Sequence, residues 1–321
     1  MLPDGLLVDA DLGRSPVLSI IIVNFNAEKL IIRCLQSVYG TAGNLDCEVI
    51  VVDNASTDQS VLAIRQNFPK VKLICNEENV GFAKANNQAA KVARGRYLLL
   101  LNSDAFVHNG AISTLVEYMA SHPDTGAASC RLVYEDGSLQ RSCYSFPTPF
   151  TELWQTLWLD RLFPRSPIFG KFRMTYWGYD TYHEVDWVMG AVMTLRSEVI
   201  EQVGLFDEEY FMYSEEMDLC YRLKQAGWKI NFVPQATVTH LWGGTSRQNK
   251  ELAFIRLYKS RVLFFRKHYG PIVTAFYKSV LYLGSLIRVI GGTITGLFRK
   301  NQDVRRQTHN YWVLLLSLLG I

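Results

Sequence analysis

Residues Phe206–Arg222 read FDEEYFMYSEEMDLCYR and place Glu215, Glu216 and Asp218 within four positions. Carboxylates this close repel one another. Repulsion together with burial raises a carboxyl pKa toward the value a general base needs. Asp218 and Arg222 are spaced i, i+4 and can pair on a helix, which leaves Glu215 and Glu216 as the base candidates. Acidic residues also open helices simply because they complement the helix dipole, so the cluster alone is ambiguous. A second group is Asn102-Ser103-Asp104, at the end of LLLLNSDA. An Asp just past a buried strand can bind Mg2+ or Mn2+ through oxygen. Such a metal bridges two phosphates and offsets the charge of a departing nucleotide diphosphate. The same tripeptide also serves as a turn or cap. His240, in THLWGG, closes another apolar run. Gly243-Gly244 behind it lets the backbone approach a diphosphate, although a histidine near a core is also a common hydrogen-bonded structural residue.

These groups need elements to position them. Leu18–Asn26 (LSIIIVNFN) is a continuous apolar run with a polar end, as expected of a strand buried on both faces. A helical stretch, Ala27–Tyr39, follows it. Cys47–Asp58 is a second buried strand that breaks into a polar turn, where Ser56 or Asp58 can cap the next helix. Val71–Gly95 reads as strand, loop and helix, and Arg96–Asp104 as a fourth strand. Strands alternating with helices predict a mostly parallel sheet of α/β type, with ligands at the carboxyl ends of its strands. Those ends carry Asn24 and Asn26, Asp53 and Asn54, Asn79, and Asn102 and Asp104. A carboxylate at Asp53 can accept the N3–H of a uracil or thymine ring while the residues before Asn26 pack on the base; an Asx turn is the competing role. Asn79-Val80-Gly81-Phe82 continues the crevice, and Lys84 can contact a phosphate or remain a solvated helix lysine. Further on, Val185–Gly204 reads as a strand and a helix closing at Gly204, Glu215–Gly227 as a helix, and Trp228–Pro234 and Ala236–Trp242 as two strands.

Half of the residues are hydrophobic, which excludes a disordered chain. The six cysteines show no C-x-x-C pair and read as reduced core thiols of a cytosolic protein. The N-terminus lacks a basic segment followed by a long apolar one, so no signal peptide is expected. Tyr144–Tyr182 is crowded with aromatic residues and prolines, and reads as an irregular insertion that either packs on itself or faces an acceptor or lipid. From Lys250 onward there are 12 Lys/Arg against 2 Asp/Glu, a net +10, which leaves residues 1–249 at −7. An acidic body with a basic, apolar tail suggests attachment to an anionic surface. On one helix, Lys267, Lys278, Arg288 and Arg299 form a narrow basic stripe beside a wide apolar face, which suits a helix lying in the bilayer interface. A spanning helix is long enough but would carry two charges at about 2.5–3.5 kcal/mol each near the bilayer centre.

In order along the chain, SIIIVNFN, VIVVDNASTD, NVGFAKANN, YLLLLNSDA, the WVMGA to WKINFVP stretch and THLWGGTS resemble the inverting glycosyltransferases of family 2, GT-A fold, in the bacterial rhamnosyltransferase-like subgroup. They span residues 18 to 245; each is weak alone, and the ordered set is specific. The resemblance implies a GT-A domain over residues 17–248; an N-terminal tail (1–16) precedes it, and the basic, apolar composition described above predicts a membrane-associating helical region (249–321) after it. It implies that Val23, Phe25 and Asp53 hold the nucleobase. It also implies that Asn79, Lys84, Asn102, Ser103 and Asp104 line the nucleotide-sugar site, and that Asp104 and His240 bind Mn2+ or Mg2+. The second member of the Glu215-Glu216 pair is then the catalytic base, and Trp187 and Gly190 lie on the acceptor side. Two positions depart from the family pattern. Asn102 replaces the first carboxylate of the D-x-D motif, and Glu216 stands where Asp is usual, one methylene longer. The expected partners are a nucleotide-diphosphate sugar, dTDP-L-rhamnose or alternatively a UDP-hexose, and a saccharide or polyprenyl-diphosphate-linked acceptor. The expected place is the cytoplasmic face of the plasma membrane, held peripherally by the tail, with a homodimer possible and no nucleic-acid partner. An inactive scaffold of the same fold is a competing reading. A nicotinamide oxidoreductase is disfavoured because no G-x-G-x-x-G follows a strand.

Overall fold

The computed structural model describes residues 16–43, 45–241, 250–298 and 302–318. Trp242, Gly243, Gly244 and Arg299, and all but the last residue of the 1–16 tail, lie outside the described residues.

In chain order the elements begin β1 (Leu18–Asn24), α1 (Glu28–Thr41), β2 (Cys47–Asp53), α2 (Ser60–Asn67), β3 (Lys72–Cys75), α3 (Phe82–Ala90) and β4 (Tyr97–Asn102). Then follow β5 (Ala105–Val107), α4 (Ala111–Ser121), β6 (Thr125–Val133), β7 (Leu139–Gln140), β8 (Cys143–Tyr144), α5 (Pro149–Thr156) and α6 (Leu159–Leu162). After these come β9 (His183–Glu184), β10 (Trp187–Val188), β11 (Val192–Arg196), α7 (Ser197–Val203), α8 (Glu215–Gln225) and β12 (Lys229–His240). The tail forms α9 (Lys250–His268), α10 (Gly270–Phe298) and α11 (Gln302–Leu318).

The main sheet runs β3-β2-β1-β4-β11-β6-β12-β5. Its β3–β2, β2–β1, β1–β4 and β6–β12 pairs are parallel, and β11 and β5 are antiparallel to their neighbours. The expected α/β architecture is thus present. The apolar runs are buried on both faces because successive side chains alternate. Ile21, Ile50, Val52, Leu98 and Leu100 enter one core, while Ile20, Ile22, Val49, Val51, Leu99 and Leu101 enter the other.

Several expectations need correction. Trp228–Pro234 and Ala236–Trp242 are not two strands. Residues Lys229–His240 form one strand whose pairing with β6 slips between Val233 and Thr237, and Pro234, which cannot donate to a ladder, sits in that slip. The cysteines are free, but only Cys34, Cys130, Cys143 and Cys220 are buried, and Cys75 is exposed. The aromatic insertion is not wholly irregular. Thr148 caps α5 through a reciprocal box with Thr151, and Pro149 takes the first helical turn. Its rings pack among themselves, as Trp154 does on Phe169, and also on the tail, as Phe150 does on Phe276.

The basic stripe of the tail is corrected most. Gly270, at φ +77°, separates α9 from α10, so Lys267 lies on a different helix from Lys278 and Arg288. Lys267 pairs with Asp207 and Glu209, and the Arg288 guanidinium donates to the Gln155 carbonyl (3.0 Å). Two of the four stripe residues thus hold the tail to the body. What α10 leaves exposed is apolar: Ile272 (84% exposed), Phe276, Leu283, Leu286, Ile290 and Ile294. Residues 270–296 are long and apolar enough to cross a bilayer by length and composition, and one third of the most apolar window is buried. Helix α11 folds back onto α10 and α9 of the tail and buries Leu314, Leu315 and Leu318.

Candidate active site

Register brings the polar strand ends together. Asn24 lies opposite Asp53, Asp53 opposite Cys75, and Val23 opposite Asn102. At this edge Asp53 is buried, and both of its oxygens are engaged. Its Oδ1 accepts from Asn24 Nδ2 (2.9 Å) and Ser56 Oγ (2.6 Å), and its Oδ2 accepts from the Ser56 backbone N–H (2.9 Å). This is the Asx turn, and it fixes the carboxylate at the strand end. Val23 and the neighbouring Phe25 are half-buried, so both offer apolar surface beside it.

Next to it, Asn54 Nδ2 donates to Asn79 Oδ1 and to the Gly81 carbonyl (3.1 Å each), while Asn54 Oδ1 accepts from Asn76 Nδ2 (3.0 Å). Asn79 Oδ1 also accepts from the Gly81 N–H (3.0 Å), so its acceptor is spent on the loop. Gly81 has φ +88°, and a Cβ there would sit 2.6 Å from the Phe211 carbonyl oxygen. Only glycine fits this crossing, where the Phe82 N–H donates to the same oxygen (2.9 Å). Lys84 is solvent-exposed on α3.

The Asn102-Ser103-Asp104 end of β4 meets the end of β12, because His240 pairs with Ala105 across the antiparallel β5–β12 ladder. His240 Nε2 lies 3.2 Å from Asp104 Oδ1 and 3.4 Å from Asn102 Nδ2. Ser103 is buried between Asn102 and Asp104. On the far side of the ring, His240 Nδ1 is 2.7 Å from Gln140 Oε1, and Gln140 Nε2 donates to the His240 carbonyl (3.2 Å). That second bond orients the amide and makes Gln140 Oε1 the acceptor, so Nδ1 is the donor on that side of the ring. Nε2 faces the Asp104 carboxylate, so the two side chains present one nitrogen and one oxygen to the same point. Among the described residues no group of three His, Cys, Asp or Glu side chains converges on one point. A cation held here would take one nitrogen and one oxygen from Asp104 and His240, with the rest of its shell from phosphate and water, as Mg2+ and Mn2+ permit.

The acidic pair approaches from the other side. Tyr213 (φ 73°) and Ser214 (φ 67°) are both left-handed, a conformation that costs non-glycine residues about 1 kcal/mol or more each. The turn they make starts α8 with Glu215 and Glu216 pointing inward. Glu215 is 4% exposed. Glu215 Oε2 and Glu216 Oε2 are buried without a hydrogen-bond partner among the described residues. Burial, then the charge of Glu216, pushes the Glu215 carboxyl well above the usual range. Burial also raises Glu216, to about 6, against backbone hydrogen bonds that include one from Gly190. A Cβ on Gly190 would lie 3.6 Å from Glu216 Cβ, an ordinary contact distance, so Gly190 backs directly onto the Glu216 side chain. Gly190 precedes Ala191, whose carbonyl accepts from the Asn102 N–H (3.0 Å). One backbone step thus connects the base candidate to the β4 end. Trp187 is buried, stacked on Tyr144 (4.3 Å), with its Nε1–H donated to the Ser145 carbonyl (3.0 Å); it supports the wall behind Gly190.

Asp218 pairs with Arg222 (2.8 Å), as the spacing predicts, and also with His268 of α9 (2.7 Å). Burial opposes its charge, but the His268 hydrogen bond and the Arg222 guanidinium outweigh that and hold its pKa below the ordinary value. Sequence reasoning missed Gln140 and His268, since neither sits in a pattern that connects it to a partner far along the chain. Gly243 and Gly244, expected beside His240, lie outside the described residues.

The chain is similar to several described proteins. The chain is 29% identical over 235 residues, 70% of its length and 76% of the relative's, to the N-acetylglucosaminyl-diphospho-decaprenol L-rhamnosyltransferase of Mycobacterium tuberculosis. It is 28% identical over 232 residues, 69% of its length and 82% of the relative's, to rhamnosyltransferase WbbL of Escherichia coli. Among solved structures, the mannosyltransferase PcManGT of Pyrobaculum calidifontis, in complex with GDP-Man and Mn2+, aligns with a TM-score of 0.56 over 96% of this chain and 87% of its own, at 17% identity, which shows a shared GT-A-like fold. The profile of glycosyl transferase family 2 matches residues 19–188, more than half of the sequence, and the chain belongs to that family of glycosyltransferases.

Proposed function

We propose that this glycosyltransferase moves L-rhamnose from dTDP-L-rhamnose to a saccharide carried on a polyprenyl diphosphate, with inversion, using Glu216 as base. The observation that carries the reading is Glu216, half-buried with its Oε2 unpartnered among the described residues, packed on Gly190 one residue before Ala191, whose carbonyl binds the β4 end that leads to Asp104. The choice of sugar and acceptor is supported by the activities for which the two bacterial relatives are named.

In the reaction, Glu216 accepts the proton of an acceptor hydroxyl. The hydroxyl oxygen attacks the anomeric carbon from the face opposite the nucleotide. The bond from that carbon to the diphosphate breaks, and its electron pair leaves with dTDP. Asp53, with Val23 and Phe25, holds the base at the ends of β1 and β2. Asn102 and Ser103 border the diphosphate, and Lys84 stands at its outer side. Asp104 and His240 would hold a divalent cation, which when bound neutralises charge on the leaving diphosphate. Gln140 keeps the His240 lone pair turned toward that position. The exposed apolar stripe of α10, continuous with Phe150 of the insertion, rests in the interface of the cytoplasmic leaflet, where such an acceptor is presented.

The test is a panel of nucleotide sugars, with and without Mn2+ or Mg2+, in wild type and Glu216→Gln, read as nucleotide release and as donor binding. Release of dTDP from dTDP-rhamnose alone, dependent on metal and lost in the variant, is the expected result. Release of UDP from a UDP-hexose would replace the donor. Binding without turnover toward any polyprenyl-linked acceptor would favour a scaffold.

A further inference from the structure

Beside the loop that leads into α8, the helices α9, α10 and the end of α11 line an open cavity of about 840 Å³. Its charged rim is cationic, with Lys259 and Arg266 from α9 and Lys278 from α10, and its walls include Leu263, Tyr282 and Leu318. Of the three cations only Arg266 has an ion-pair partner among the described residues, Glu209 at 3.7 Å, and Glu209 is shared with Lys267 (3.1 Å). Like charges gathered around an apolar space repel, and a multivalent anion with an apolar chain is the ligand class that relieves this. Tyr282 belongs both to the cavity wall and to the exposed apolar surface of α10. A chain leaving the cavity therefore meets the stripe already assigned to the membrane.

We propose that this cavity binds the diphosphate and first isoprenoid units of the lipid-linked acceptor. The proposal rests on the acceptor class given above. Two observations favour this occupant over an ordinary phospholipid. Three cations against one carboxylate leave a net charge of +2, which a diphosphate matches better than a singly charged phosphodiester. The helix that carries Lys259 and Arg266 also braces the catalytic loop. Ser260 Oγ donates to the Met212 carbonyl (3.1 Å), and the Arg256 guanidinium lies over Phe211 (4.2 Å). A headgroup held there therefore lies against the helix that contacts the loop 209–212 leading into α8.

The experiment is calorimetric titration of farnesyl diphosphate into the full chain in EDTA, in wild type and in the Lys259→Ala/Lys278→Ala variant. Wild type should bind it, and the variant about tenfold or more weaker, as expected for loss of charge-assisted contacts. Inorganic diphosphate and farnesol alone should each bind wild type about tenfold or more weaker, since each has half of the ligand. Binding of dTDP with Mn2+ is measured on the same samples and should be unchanged in the variant, which shows that its fold is intact. Equal farnesyl diphosphate affinity in the two proteins overturns the proposal. So does equal binding of dihexanoyl phosphatidylglycerol, which would make the cavity a general phospholipid site. Failure of wild type to bind dTDP counts against the sugar-transfer reading instead, and the farnesyl diphosphate result still decides the cavity.

Discussion

The two sides of the crevice treat buried polar groups differently. On the side proposed to take the nucleotide, Asp53, Ser56, Asn54, Asn76 and Asn79 hydrogen-bond to one another, and Asn24 Oδ1 beside them is buried without a partner among the described residues. On the side proposed to take the acceptor, Glu215 is buried beside the half-buried Glu216, and each has a buried oxygen left unpaired among the described residues. The first arrangement stabilises the fold and presents a fixed surface. The second destabilises it and holds a carboxyl near the pH at which it can take a proton. Recognition and chemistry thus draw on different physical states of the same functional group.

Removing the base should have the largest effect. Glu216→Gln should lower transfer by about 10²–10⁴-fold, the range for general bases, while donor affinity stays within a factor of about two. Steady-state kinetics alongside donor titration checks both. A comparable loss of donor binding would mean that Glu216 belongs to the recognition side. Asp53→Ala should instead cost about 2–4 kcal/mol of stability, since it strands Asn24 Nδ2 and the Ser56 N–H in a buried place. Urea denaturation reads this, and an unchanged midpoint would show that the nucleotide side is not held by this network. Gln140→Leu should weaken Mn2+ binding, followed by electron paramagnetic resonance with dTDP present, by about 10–100-fold, because the His240 tautomer is no longer held. Affinity equal to wild type would remove Gln140 from the site.

Acidity gives a fourth test. The Glu216 pKa is raised in the folded protein from 4.5 to about 6, so the folded state holds this proton more tightly than the unfolded one. Its contribution therefore favours folding at acid pH and is lost as pH climbs from the ordinary carboxyl range through about 6. Replacing it by Gln should raise stability by about 2 kcal/mol at pH 8 and by nothing near pH 4. Glu215→Gln should act in the same direction. Turnover of wild type should rise with pH on an acid limb near 6 that belongs to the coupled pair. A flat profile would count against an ionisable base there. Smallest of all, Lys84→Ala should change donor affinity by less than about threefold, because its side chain is already in water.

Much of this was legible in the chain. Strands β1, β2 and β4 are buried on both faces, so their residues form unbroken apolar runs with polar ends, and the parallel topology aligns those ends. The acidic pair was visible because α8 begins in sequence at Glu215. Gln140 was not, since it sits on a two-residue strand and its partner lies 100 positions away. Docking of the tail was hidden for a related reason. Composition shows that Lys267 and Arg288 are basic, but only the break at Gly270 and the tertiary partners Asp207 and Gln155 turn them toward the body.

Helix α9 bears on how this enzyme can be handled. Phe264 and Phe265 lie in the same core as Ile21 and Ile50. Arg261 reaches Glu152 of the insertion (3.3 Å), and His268 supplies a hydrogen bond to Asp218. A chain shortened ahead of Lys250 would bare both aromatic rings, strand the buried Glu152 carboxylate and leave Asp218 without its His268 partner, so it should be recovered in inclusion bodies rather than as a tidy water-soluble catalyst. Detergent-free preparations are better sought by placing polar residues at Ile272, Leu283 and Ile290, whose side chains already point away from the body.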